Sequence, residues 1–250
     1  MTEGRRAGRA EETLELAREA WAFRLKVERE AAARFSRLAR GLSRVGAASA
    51  LVELALRAAG DERRHALLCA EQALKRGEPE ASPAPVKVAE IAPPGLHLRG
   101  RVLYELVAAC CITETESMGV LTTLLGRSRD REMRRVLREL AEDEVVHSRL
   151  GWAHLASEHA QGETAFLSPL IPAMLKGSMA PGLFRPGPEE EDEEALLEQG
   201  VLPRPLKREV FTRTLEEVVF PGLEAFGVDA GPARSWLAER RAELAGRAGG

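Results

Sequence analysis

Aromatic residues are scarce in this chain. Three Trp, one Tyr and seven Phe make up 4% of 250 residues. Strand-built cores rely on aromatic and β-branched residues in alternation, and no convincing alternating apolar run occurs. Cysteine is also rare. Cys69, Cys110 and Cys111 are an odd number inside helical stretches, which argues against a disulfide framework and reads as small buried hydrophobes. Lysine is nearly absent among the basic residues, and the formal charge is only −3 with the positive charge spread along the chain. There is no basic patch of the kind that binds nucleic acid. No run approaches the roughly 18 apolar residues that a membrane span needs. Met1 to Ala10 is Arg- and Gly-rich with no apolar segment behind it, unlike a signal peptide. A cytoplasmic protein with neither a nucleic-acid nor a membrane partner is expected.

The chain is instead rich in Ala, Leu, Glu and Arg, all strong helix formers, so an all-α fold is expected. The length allows one large domain or a domain with an appendage. The first helix is expected from about Glu12 to Arg40, with Trp21, Leu25, Glu28, Ala32, Phe35 and Leu42 on one stripe. The second spans about Ala47 to Lys75, with Leu51, Leu54, Ala58, Glu62, His65, Cys69 and Gln72 on its stripe. Gly60 interrupts it, either as a tolerated weak spot or for close approach of a neighbouring backbone. Residues 77–95 contain Pro79, Pro83, Pro85, Pro93 and Pro94. They cannot continue a helix, and their length suits a crossover along a bundle. The third helix is expected from His97 to Leu125, with Glu114 in its stripe and Glu105 and Glu116 outside it. Gly126 is a candidate stop and Ser128 a candidate cap. The fourth runs from about Arg129 to Ala160, with Glu144, His147, Gly151 and His154 on one face.

Two copies of one motif stand out: Asp61-Glu62-Arg63-Arg64-His65 and Asp143-Glu144-Val145-Val146-His147. Residues three apart on a helix share a face, so each Glu and His can reach one metal. Glu28 precedes the first motif by one helix, as Glu114 precedes the second. Glu28, Glu62, His65, Glu114, Glu144 and His147 thus form a four-carboxylate, two-imidazole set from four helices. That is the inward-facing ligand set of a dimetal bundle. Four buried carboxylates are costly unless cations compensate them, and two divalent metals match their charge. The nitrogen and oxygen donors suit two iron ions or a manganese/iron pair. Without metal, the carboxylates would pair with Arg and the histidines would be hydrogen-bonded core residues. Asp61 and Asp143 are candidate partners for the second ring nitrogen of a ligating His, either of their own motif or of the opposing one. His154, Tyr104, Cys69 and Cys110 read as packed residues without a ligand role.

The residues that carry these patterns resemble the ferritin-like di-iron carboxylate superfamily, which includes rubrerythrins, bacterioferritins and di-iron oxygenases. They are most similar to an uncharacterised bacterial ferritin-like group, through Glu28 with Phe35, Asp61 to Ala66, Cys111 to Thr115, and Asp143 to His147 with Trp152. The segment Val218 to Leu223 looks like the C-terminal part of that group. The resemblance implies a ferritin-like four-helix bundle over 12–160, with a long crossover between helices two and three. It implies an oxidoreductase that reacts with O2 or peroxide, with a small-molecule substrate and an electron donor as open options. A ferroxidase or iron-handling protein, or a scaffold with a vestigial site, is the alternative, and a homodimer is compatible with either. Beyond the bundle, Pro169, Pro172, Pro181, Pro186 and Pro188 break up the chain, and an acidic run over 189–194 reads as solvated surface. Helices follow at Arg208–Phe226 and Ala233–Leu244. Residues 163–250 are expected to form a helical extension packed on the bundle or used for association.

Overall fold

The computed structural model describes residues 3–80, 86–162, 164–185 and 192–248, and among them every regular element is helical. Helix α1 (Glu3–Arg44) and α2 (Ser49–Leu74) form a long hairpin. Their turn hinges on Gly46, whose φ of 70° favours glycine. Helix α3 (Leu98–Leu106) runs into a π-helical segment (Val107–Glu114) and on into α4 (Thr115–Arg127), and α5 (Arg131–His159) follows. Helix α1 packs along α2, α2 against α5, and α5 against both the π-helical segment and α4. Helix α3 touches α1 and α5.

Two apolar clusters hold these helices together. One joins Phe35, Leu38 and Leu42 to Ala55, Ala58, Leu106 and Leu150. The other joins Trp21 and Leu25 to Cys69, Leu121, Leu124, Leu137 and Leu140. On each long helix the six candidate ligands fall between the residues of the two clusters. The polar centre is therefore closed at both ends by packed side chains.

The remainder of the chain forms a 3-10 turn (Ala165–Leu170), α6 (Ile171–Ser178), α7 (Glu193–Glu198), α8 (Arg204–Thr214), a second π-helical segment (Leu215–Val219), α9 (Phe220–Ala225) and α10 (Gly231–Ala248). Phe211 and Phe220, both fully buried, join Leu103, Val107, Cys111 and Ile112 in a third apolar cluster. Each buried Phe contributes about 1.5–3 kcal/mol.

Several local expectations change. Helix α1 begins at Glu3, well before Glu12. Gly126 lies inside α4, and Ser128 is the residue that ends it. Asp130 is the N-cap of α5, accepting a 2.7 Å bond from the Met133 amide. Its carboxylate also suits the positive end of the helix dipole. Gly60 is exposed, and a Cβ there would meet nothing within 4 Å, so no neighbouring backbone requires it. Glu105, outside the expected stripe, is buried, paired with Arg37 and bonded by the Ile91 amide at 3.1 Å. The Pro-rich region past 163 includes short helices that prolines do not forbid, since Pro172 sits in the first turn of α6. Pro83, Pro85, Pro186, Pro188 and the acidic residues 189–191 lie outside the described residues.

Candidate metal centre

The two motifs occupy the middles of α2 and α5, where three-residue spacing turns each Glu and its His to the same side. Glu28 comes from α1, and Glu114 from the last residue of the first π-helical segment. All six are buried; Glu62, His65 and His147 have no exposed surface. Two groups of potential metal-ligating atoms result, each with all its atoms within 4.8 Å of one another. One consists of Glu28, Glu62, His65 and Glu144, the other of Glu62, Glu114, Glu144 and His147. Glu62 and Glu144 belong to both. One oxygen of Glu62 lies 3.3 Å from His65 Nδ1 and the other 3.0 Å from His147 Nδ1.

The histidines present Nδ1 to the carboxylates and Nε2 to the aspartates. His65 Nε2 is 3.1 Å from Asp143 Oδ2, and His147 Nε2 is 3.4 Å from Asp61 Oδ2. The pairing is crossed: each motif supplies the aspartate that orients the other motif's histidine. Sequence left that choice open. Arg64 ties the two aspartates together, bonding Asp61 Oδ1 at 3.1 Å through Nη1 and Asp143 through Nη2. Sequence reading passed over Arg64, although its place three residues after Asp61 put both on one face. Ser117 also went unassigned; its hydroxyl donates to Glu144 at 3.3 Å.

The electrostatics of the protein chain alone are severe. Burial, then the neighbouring Glu28 charge, pushes Glu62 up to about 8. Burial, followed by Glu144 and Glu62, raises Glu114 well above the carboxylate range. Burial opposes charging of His65, but the Glu28 and Glu62 carboxylates beside Nδ1 override it and raise the imidazole to about 11. His147, between Glu144 and Glu62, is likewise raised to about 10. Both oxygens of Glu62, Glu144 Oε2, and the Nδ1 atoms of both histidines are buried without a well-formed hydrogen bond. Such atoms are costly to leave unmatched, and all of them point into one small volume. Cations there would satisfy every one of them, so the donor set fits a pair of divalent metals.

The remaining flagged residues are packed. Tyr104 lies in the third apolar cluster, and Cys69 and Cys110 are fully buried thiols raised by burial, then by neighbouring carboxylates. His154 is buried beside Glu158 at 3.7 Å, outside both ligand groups. The π-helical segment was invisible to periodicity. It is accompanied by Thr113 and Thr115 hydroxyls that bond carbonyls five residues back. Segments of this kind are frequent at functional sites, and this one delivers Glu114.

No family model, curated protein or solved structure matches the chain.

Proposed function

We propose that the protein is a di-iron, or manganese/iron, carboxylate oxidoreductase that reacts with O2 or peroxide. In this reading its long helices form a ferritin-like four-helix bundle, with the segment between α2 and α3 as the crossover. The observation that carries the reading is the pair of overlapping ligand groups with orphaned, inward-facing donor atoms.

Glu28 and His65 would hold one metal, Glu114 and His147 the other, with Glu62 and Glu144 shared between them. Bound there, the metal pair supplies the redox capacity toward O2 or peroxide that no side chain of this site has. The chain's part is to fix geometry and proton inventory. Asp143 and Asp61 accept the Nε2–H of His65 and His147, which selects the tautomer that leaves Nδ1 as a ligand. Arg64 holds both aspartates in place through its two bonds to them. Ser117 restrains one oxygen of Glu144 and leaves the other free to ligate. The apolar clusters on either side keep bulk water from the centre.

The test begins with elemental analysis of protein purified without chelators, followed by anaerobic Fe(II) loading and mixing with O2. The expected result is about two metals per chain, uptake of O2 and a transient visible absorbance. A protein that binds no metal under these conditions, or binds it and consumes no O2, refutes the reading.

A further inference from the structure

Helix α2 has two unlike sides. Its inner side, with Ala55, Ala58, Glu62, His65, Cys69 and Gln72, is buried. Its outer side carries three leucines that touch little of the chain: Leu56, Leu67 and Leu74 are 57%, 69% and 58% exposed. Their spacings of eleven and seven residues are close to three and two helical turns, so the three fall within about 20° of one line along the axis. A single exposed leucine needs no explanation. Three in line make an apolar ridge about 27 Å long. The other large exposed apolar residues, Leu14, Phe23, Ile91 and Val218, belong to other parts of the chain.

Charges flank the ridge in a self-complementary order. Arg63 stands four residues before Leu67 and Glu71 four after, both exposed and on the ridge side of the helix. Arg63 Nη2 donates to Ser36 on α1 at 3.2 Å, and among the described residues neither Arg63 nor Glu71 forms an ion pair. Arg57 and Arg64, at the edge of the same side, are engaged by Asp61 within the chain. A two-fold axis through Leu67, perpendicular to the helix, sets a second copy of α2 antiparallel to the first. Each residue before Leu67 then lies beside the residue equally far after it in the other copy. Arg63 of each chain meets Glu71 of the other, two opposite-charge pairs from one symmetry operation. Leu74 falls opposite Gly60, where a residue no larger than alanine leaves room for it, and beside Leu56. A parallel pairing would set Arg63 against Arg63 and Glu71 against Glu71, so the charges select against it.

We propose that the outer face of α2 is the interface of a homodimer, two copies packed antiparallel about Leu67. Helix axes in such packings lie about 8–10 Å apart. A contact of this length is at the small, transient end of specific interfaces, which corresponds to a Kd of about 1–100 μM. The candidate ligands Glu62 and His65 face away from the axis, so pairing leaves both centres intact.

Analytical ultracentrifugation of the full-length protein from about 1 to 500 μM brackets that affinity. The expected result is a rise in mass from the chain's 27.3 kDa toward twice that value. Leu67→Arg puts two cations on the axis and should hold the protein monomeric. Arg63→Glu and Glu71→Arg should each weaken the dimer by about tenfold or more, because two opposite-charge pairs become two like-charge pairs. The two swaps together should restore it to within about threefold. Helicity should be unchanged in every variant, since all three positions are exposed. A chain that stays monomeric over the whole range leaves the face to another occupant and overturns the proposal. A dimer or larger assembly that survives Leu67→Arg forms elsewhere and also overturns it. A double swap no tighter than the single swaps overturns the antiparallel register, and the proposal with it.

Discussion

Two helical glycines should respond to alanine with opposite signs. At Gly151, one turn past His147 on α5, an added Cβ would lie 2.5 Å from Cys110 Cβ, 2.9 Å from Cys111 Sγ and 3.0 Å from the Cys111 backbone nitrogen. Favourable contact begins near 3.5 Å, so α5 must move by about 1 Å from a segment whose backbone cannot rotate away. Overpacking of this kind costs about 1–3 kcal/mol, and contact with backbone places it at the upper end. The better helix propensity of alanine returns about 1 kcal/mol. The net loss is then about 1–2 kcal/mol, which for a chain of this size lowers Tm by about 2–8 °C. Gly60→Ala meets nothing and should gain about 1 kcal/mol, raising Tm by about 2–4 °C. The displaced segment carries Glu114, so Gly151→Ala should also bind less metal while Gly60→Ala does not. Differential scanning calorimetry of metal-free protein, paired with elemental analysis, reads both effects. A Gly151→Ala protein as stable as Gly60→Ala would refute the close approach of α5 to the π-helical segment.

Other outcomes follow from the centre itself. Removal of a shared carboxylate, Glu62→Ala or Glu144→Ala, should abolish both metals. Glu28→Ala or Glu114→Ala should leave about one, as counted by mass spectrometry of the metals; identical stoichiometry in all four would contradict the shared arrangement. Asp143→Asn should weaken metal binding about 10- to 100-fold at the half-centre containing His65, and Asp61→Asn at the half containing His147. Chelator competition checks this, and a loss on the motif's own side would argue against crossing. For metal-free protein, His65 and His147 are raised from the usual imidazole value to about 11 and about 10, so their stabilisation is complete below about 6.5 and is lost as pH rises toward those values. Glu62, raised to about 8, binds more protons folded than unfolded above about 4.3, so it too costs stability as pH rises toward 8. Metal-free protein should therefore melt lower at pH 9 than at pH 7, while loaded protein should not, because metal requires the deprotonated ligands. A thermal-shift series in chelator with the opposite slope would count against this.

The long helices and the convergence of the six residues could be read from the sequence because both are periodic. Stripe positions and three-residue spacing survive an error of a few residues at a helix end. Where the reading failed, the cause was local or distant. The π-helical segment widens one turn with hydroxyl-to-carbonyl bonds that have no hydrophobic signature, so Glu114 could be placed on a face but not its unusual backbone. Ser128 and Asp130 are both good caps, and only geometry separates them. Glu105 is paired with Arg37 from another helix, and the Trp21 indole donates to the Gln199 carbonyl 178 residues away. Such pairings are tertiary and leave no mark on local periodicity. The metal and the reaction rest on the chemistry of the donors.

The crossed aspartate–histidine contacts bear on how the chain matures. As α1 and α2 leave the ribosome they carry Glu28, Glu62 and His65, but the carboxylate that aims His65 is still unmade. Until the α5 segment emerges and docks, the first hairpin has two of the four carboxylates and lacks the partner of His65 Nε2. In the dimetal reading, ion capture would wait for the close of assembly, and an incomplete chain would be spared a reactive metal.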